Sequence, residues 1–182
     1  KLNVAVISTG DELIQPGEEL TRGQIYESNS FGISGLVKWL GHNPNRMQCV
    51  GDTIDDLREV LNLAARDNDL IITSGGVSMG EWDLVRKIME EEGDLDFWRI
   101  KLRPGSPPLF GSWNQTPIFG LPGNPVSSHV VFRMLVAPYI RNLNSATGPV
   151  EARAFATLAT KVKSTKDCLT LRRVSIIKTQ DG

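Results

Sequence analysis

The sequence predicts a layered α/β domain, a sheet with helices on both faces, and three observations carry that expectation. Short apolar runs alternate with amphipathic segments from the first residue to about residue 145. Four polar, glycine-bearing loops stand at the ends of successive runs. The 182 residues are 40% hydrophobic, enough for one full core with a small extra piece beside it.

Taken in order, the opening strand is expected near 2–8, and a first helix near 28–41. That helix carries Phe31, Ile33, Leu36, Val37 and Leu40 and stops at Gly41, a residue type that closes helices in the left-handed conformation. A strand near 46–50 holds Cys49 in apolar company, where a thiol is inert. The helix near 53–67 begins after Asp52 and Thr53, natural caps, and turns Leu57, Val60, Leu61 and Ala64 inward. Leu70-Ile71-Ile72 forms a buried strand near 69–73, followed by a helix near 82–93 with Leu84, Val85, Ile88 and Met89 at helical spacing. Strands follow near 97–102, 108–112 and 117–120, and then a helix near 125–144. Beyond Gly148-Pro149 the pattern changes: 152–162 and 169–177 alternate apolar and polar residues around Ser164-Thr165-Lys166-Asp167 and read as a two-strand hairpin. Two strands alone are marginal in water, so the expected division is an α/β/α domain over 1–147 and an incomplete β-domain over 148–182.

Composition narrows the function classes. A formal net charge of -1 argues against a nucleic-acid or anionic-membrane surface in bulk, although local basic clusters remain open. The two cysteines lie far apart with no metal-binding spacing, which fits a reduced, cytoplasmic setting and argues against structural zinc. No apolar run reaches the roughly 20 residues needed to cross a bilayer. Lys1 leading straight into a strand suggests that the chain is cut from something longer.

The chemistry concentrates in the four loops, where ligands of open α/β sheets bind. Ser8-Thr9-Gly10-Asp11-Glu12 joins hydroxyls, a glycine and two carboxylates, suited to a polar ligand with an acid facing a cation, or else a solvated turn. Asp52, after Gly51, is either a helix cap or a metal ligand. Thr73-Ser74-Gly75-Gly76-Val77-Ser78 runs through Trp82 to Asp83 and reads either as a phosphate cradle with an adjoining metal ligand or as a plain strand-to-helix turn. The fourth is a pair of proline-glycine loops. In Arg99 to Pro107, strand alternation places Arg99, Lys101 and Arg103 on one face, an anion patch or a charged sheet edge. In Gly120 to Ser127, Asn124 caps a helix with Pro125 at its first position, and Ser127 adds a hydroxyl beside the free N–H groups. Glu12, Asp52 and Asp83 are hard oxygen donors without histidine or thiolate company, a set that favours magnesium. His42 and His129 read as surface or packing residues, Trp39 and Trp113 as core or groove fillers, and Trp82 and Trp98 as packing or pocket-flanking residues.

Ser-Thr-Gly-Asp-Glu-Leu, Gly-Gln-Ile-Tyr-Glu-Ser-Asn, Val-Gly-Asp, Ser-Gly-Gly-Val-Ser-Met-Gly-Glu-Trp-Asp, Arg-Pro-Gly-Ser-Pro and Gly-Leu-Pro-Gly-Asn-Pro-Val-Ser occur in that order. Together they resemble the molybdopterin molybdotransferase family, the MoeA and gephyrin E-domain proteins. The resemblance implies a molybdopterin-binding α/β/α domain followed by the start of a small β-barrel. It also implies molybdenum cofactor biosynthesis: magnesium-dependent insertion of molybdate into adenylylated molybdopterin with release of AMP. By motif position, Glu12, Asp52 and Asp83 would be acidic active-site residues and metal ligands, and Arg99 and Arg103 cationic ones. Ser74, Ser78 and Ser127 would contact the pterin phosphate or molybdate, and Thr9, Gly10, Asp11, Gly75, Gly76, Pro104, Gly105, Ser106, Pro122, Gly123 and Asn124 would line the same site. Ser106 departs from the family, which carries a lysine there. Family members carry two further N-terminal domains and act as homodimers. Molybdopterin adenylyl transfer and a non-catalytic pterin-binding or scaffold module are the competing readings.

Overall fold

The structure, a computed structural model, describes residues 1–47, 51, 53–77, 83–146 and 154–177. The chain runs β1 (Asn3–Ser8), β2 (Leu13–Ile14), β3 (Ile25–Tyr26), α1 (Asn29–Trp39), β4 (Asn43–Arg46), α2 (Ile54–Asp67), β5 (Leu70–Ser74) and α3 (Leu84–Glu91). It continues through β6 (Asp94–Trp98), β7 (Leu102–Arg103), β8 (Leu109–Trp113), β9 (Thr116–Leu121), α4 (Pro125–Val131), a π-helical turn (Phe132–Val136), α5 (Ala137–Leu143) and β10 (Leu169–Thr170).

Six strands form the central sheet in the order β4-β1-β5-β9-β8-β6. The first four are parallel, and β8 and β6 are added antiparallel. Side-chain alternation along the strands divides the core into two faces. Val4, Val6, Leu70 and Ile72 pack with Ile33 and Val37 of α1 and with Val131, Phe132, Val136 and Ile140 of the last helical segment. Ala5, Ile7 and Ile71 point the other way, onto Leu57, Leu61 and Ala64 of α2 and Val85, Ile88 and Met89 of α3. This is the predicted three-layer α/β/α arrangement. No helix among the described residues is long and apolar enough to cross a membrane.

Several elements differ from expectation for identifiable reasons. The strand expected near 46–50 lies earlier, as β4, and 48–50 fall outside the described residues. Its Asn-Pro-Asn-Arg composition is tolerable because it is an edge strand bonded to β1 alone, where Pro44 costs no obligatory ladder bond. The strand expected near 97–102 is broken: β6 ends at Trp98, Arg99 turns to φ 72, and β7 leaves the sheet to pair with β10. Arg99, Lys101 and Arg103 therefore do not share one strand face. The helix expected over 125–144 is divided by the π-helical turn, because Pro138 has no N–H to bond to Met134 and its ring needs the extra room.

The predicted hairpin is not formed: residues 154–168 have no strand, and of the second expected strand only β10 is present, docked parallel on β7. Phe155, Leu158, Val174, Ile176 and Ile177 stay exposed, so there is no apolar face to hold two strands together. Trp113 is buried as expected and donates through Nε1 to Asn62 Oδ1 at 2.9 Å. Trp39 is no core filler; it is exposed beneath the Arg133 guanidinium, 5.4 Å from the ring centroid.

Candidate functional site

From β1 the chain crosses to β4 on one side, then returns to β5 on the other, with α1 and α2 on opposite faces. The ends of β1 and β5 therefore diverge into a crevice, the topological switch point where open α/β sheets bind ligands. The loops leaving these two strands touch at backbone distance. Thr9 N–H donates to Ser74 O at 3.0 Å. A Cβ on Gly75 would lie 2.5 Å from Thr9 O, and one on Gly76 would lie 2.9 Å from Val85 Cγ2 and 3.2 Å from Thr9 Oγ1. Both glycines have positive φ, so only glycine meets the steric and the conformational demand together. Thr9 is 7% exposed, and its Oγ1 has no hydrogen-bond partner among the described residues.

The start of α1 closes the crevice from the side. Ser28 occupies the capping position but makes no side-chain cap. Instead Glu27, 2% exposed, accepts Ser30 N–H at 2.7 Å, Ser30 Oγ at 2.6 Å and Ser8 Oγ at 2.8 Å. A buried carboxylate is tolerable when its oxygens are this well supplied with donors. Asn29 then donates through Nδ2 to Ser74 Oγ and to Gly123 O, each at 2.7 Å. A carbonyl oxygen can only accept, so the amide orientation follows from the Gly123 contact. Asn29 Oδ1 is buried without a partner among the described residues.

Acids stand on several of the loops at this end of the sheet. The Glu12 carboxylate lies over Gly10, where a Cβ would meet Oε2 at 2.5 Å, and Asp11 Oδ1 lies 3.0 Å from the Cβ position of Gly51. Asp52, the next residue, lies outside the described residues, as do Ser78 and Trp82. Asp83 holds the N-cap position of α3 without capping it, and its Oδ2 is buried with no partner among the described residues. The first turn of α3 reaches the glycine loop through Arg86 N–H, which donates to Gly76 O at 3.2 Å. Among the described residues no three His, Cys, Asp or Glu side chains form a ready metal cluster. The orphaned Asp83 oxygen and an all-carboxylate donor set are the chemistry a hard divalent ion accepts.

On the other flank, Gly75 N–H donates to Leu121 O at 3.0 Å, which brings Pro122 and Gly123 beside the glycine loop. Asn124 caps α4 as predicted, accepting Ser127 N–H at 3.2 Å, and Ser128 Oγ donates to Pro122 O. Gly105, after Pro104, is pressed against α4, with Val131 Cγ2 at 2.6 Å and Ser127 O at 3.4 Å from its Cβ position. This contact seats a groove of about 450 Å³ next to the β9–α4 loop, lined by Arg99, Ile100, Lys101, Arg103, Ser106 and residues 165–168. The three cations are thus gathered by a bend rather than by strand alternation. Trp98 anchors the bend, donating from Nε1 to Val77 O at 3.2 Å, with Arg86 stacked 3.7 Å above its ring. Ser106 Oγ is turned to Ile100 O at 3.2 Å. His129 packs against Gly32 of α1, and His42 Nδ1 accepts Leu2 N–H at 3.0 Å; neither joins the crevice.

Glu27 and Asn29 stand in the Gly-Gln-Ile-Tyr-Glu-Ser-Asn motif, but neither is given a place in the site on sequence alone. The available signal was an acid immediately before a helix start whose serine cap is followed by a second polar residue, Asn29, in the first turn.

Residues 5–142 match the family described as a probable molybdopterin binding domain. The molybdopterin molybdenumtransferase of Haemophilus influenzae is 38% identical over 160 residues, which are 88% of this chain and 40% of that protein. The molybdenum cofactor synthesis protein cinnamon of Drosophila melanogaster is 39% identical over 145 residues, 78% of this chain and 24% of that protein. The chain thus spans less than half the length of these curated relatives. The molybdopterin biosynthesis MoeA protein from Pyrococcus horikoshii superposes with a TM-score of 0.74 at 34% identity, covering 81% of this chain and 37% of that one. The molybdopterin biosynthesis enzyme MoaB from Thermus thermophilus shares the fold, with a TM-score of 0.62 at 21% identity over 82% of this chain and 98% of that one. Matched by the family model over residues 5–142 and similar to these relatives over most of its length, this chain belongs to the probable molybdopterin binding domain family.

Proposed function

We propose that this chain acts in molybdenum cofactor biosynthesis as the molybdopterin-binding part of a molybdotransferase, which inserts molybdate into adenylylated molybdopterin and releases AMP. The observation that carries the reading is the adjacency of two unlike surfaces. The loops at the crevice end carry Glu12 over Gly10 and Asp83 with an unpartnered oxygen, and the groove that Trp98 ties to Val77 of the glycine loop is lined by Arg99, Lys101 and Arg103. A substrate with an anhydride to be neutralised by a cation, and a second substrate that is a free oxyanion, need such a pair. The chain's place within a longer, homodimeric enzyme belongs to the same reading.

Glu12, Asp52 and Asp83 would hold magnesium, which supplies charge neutralisation at the anhydride. The guanidinium groups of Arg99 and Arg103 orient molybdate by forked hydrogen bonds, and Lys101 raises the local anion concentration. Thr9, Ser74 and the glycine loop bind the pterin phosphate in the crevice, with Gly123 and Ser127 completing its wall; Ser78, outside the described residues, would add a hydroxyl to the phosphate contacts. In the overall exchange two Mo–O bonds are replaced by two Mo–S bonds to the dithiolene. One released oxygen is balanced by cleavage of the anhydride and the other leaves as water with the thiol protons, without change of oxidation state. The work of the protein is positioning and electrostatics, as no nucleophile among the described residues is placed for covalent catalysis.

The test is AMP release by the full-length protein supplied with adenylylated molybdopterin, molybdate and magnesium. Asp83→Asn keeps the volume of the side chain and removes its charge, and is expected to lower turnover on the order of 100-fold, with the melting curve retained. Unchanged turnover would remove Asp83 from the metal site.

A further inference from the structure

Three walls of the crevice come from elements distant in sequence, and one side chain touches two of them. Asn29 joins Ser74, at the end of β5, to Gly123, in the loop after β9. Beyond the sheet pairing that ends at Ser74 and Leu121, those segments are also linked by the Gly75 N–H to Leu121 O bond. Asn29 is itself held from behind. Glu27 ties the first turn of α1 to Ser8 at the end of β1, so the carboxamide projects from a fixed base. The β1, β5 and β9 ends, already paired in the sheet, are thus tied together a second time, just beyond it, through the first turn of one helix.

We infer that Asn29 is a positioning residue of this site, its carboxamide clamping the β5 and β9 loops at the separation the ligand requires, with Glu27 as its buttress. The inference rests on the molybdopterin reading for what the ligand is, and on the hydrogen bonds alone for the clamp. Both bonds are donated by one NH2 group, and each acceptor belongs to a different loop. Removing the donors frees both loops, whereas a packing role would need only the volume of the side chain. A neutral intramolecular hydrogen bond makes a modest net contribution, because the freed groups regain water. Losing two of them corresponds to roughly a tenfold or larger loss of affinity if the loops must be re-registered on binding.

Two variants separate clamp from filler. Asn29→Ala removes donors and volume, while Asn29→Asp keeps the volume and, as a carboxylate, sets an acceptor against Gly123 O. Molybdopterin binding by titration should weaken about tenfold or more in both variants, and Ser74→Ala combined with Asn29→Ala should cost less than the sum of the two single changes. A second measurement is free of the ligand: amide exchange at Gly75 should accelerate in both variants, while Val4 to Ile7 in the sheet centre keep their protection. Wild-type affinity in Asn29→Asp, with the parent chain binding, would overturn the clamp. Failure of the parent chain to bind molybdopterin would overturn the function proposed above. The exchange arm would still decide the clamp, and unchanged Gly75 exchange would refute it.

Discussion

At the scale of single residues the site is shaped by positions where no side chain fits. Gly75 has φ 100, and a methyl there would lie 2.5 Å from the Thr9 carbonyl oxygen and 2.8 Å from Thr9 Oγ1. The first obstacle is backbone held by the Thr9 N–H to Ser74 O bond just beyond the β1–β5 ladder, so it cannot swing aside as a side-chain tip would. Gly75→Ala is therefore expected to destabilise the fold by roughly 2 to 4 kcal/mol, the sum of left-handed strain and displaced backbone, read by urea unfolding. A stability within about 0.5 kcal/mol of the parent would mean that the loops are not in contact. The same reasoning explains why the glycine loop was legible in the sequence but Asn29 was not. Paired glycines after an apolar run announce close approach, whereas an asparagine in a first helical turn carries no mark of what it reaches across the fold. The buried carboxylate of Glu27 was hidden for a related reason, since its donors are Ser8, far back in the chain, and Ser30, just ahead of it.

At the scale of elements, α2 and α3 are joined on the outside by Arg58. Its guanidinium donates to Glu92, just beyond α3, with Nε at 2.7 Å and Nη2 at 2.6 Å, and also reaches Asp55 at 2.5 Å within α2. The hydrogen bonds from Arg58 hold the Glu92 carboxyl below its ordinary range. A carboxyl lowered in the folded state contributes stability that is present above its unfolded value, near 4.5, and lost as pH falls through the lower folded value. Arg58→Ala should accordingly narrow its gap to the parent as the pH is taken down below that range, with the gap at neutral pH small because the pair is solvent-exposed. Thermal melts from pH 7 to pH 3 read the effect, and a gap that widens toward acid would refute it. Element boundaries were less legible than element identities. The apolar runs of β1 and β5 declared themselves. β4 was hidden by polar, proline-bearing edge composition, and the break at Arg99 was hidden because alternating charge and apolar residues imitate a continuous strand.

At the scale of the whole molecule, the alternation of runs was enough for the three-layer fold, because each face of a buried sheet must be covered and only helices were available to do it. It was not enough for the last part of the chain, where alternation predicts strands but says nothing of what they pair with. Leu169 N–H bonds Lys101 O at 2.8 Å and Leu171 N–H bonds Arg103 O at 2.7 Å, so this segment borrows the edge of β7. Leu171 adds a contact to the core, while Phe155, Leu158, Val174, Ile176 and Ile177 stay largely exposed. Because both faces of the central sheet are covered by residues up to Ile140, with Leu171 as the one later hydrophobic contact in that packing among the described residues, a chain ended at Ala146 is expected to keep its α/β/α core. The loss of two backbone bonds and the Leu171 packing, roughly 1 to 3 kcal/mol, should lower the melting temperature by a few degrees to about 10 °C. Truncation also removes Lys166 and Asp167 from the groove together, a cation with an anion. Molybdate titration of the truncated chain should therefore give an affinity near that of the parent, governed by Arg99, Lys101 and Arg103 and falling with added salt. A truncated chain that fails to fold would place residues 154–177 inside the same cooperative unit. One that folds but loses the anion would show that the groove depends on its outer wall rather than on its three cations.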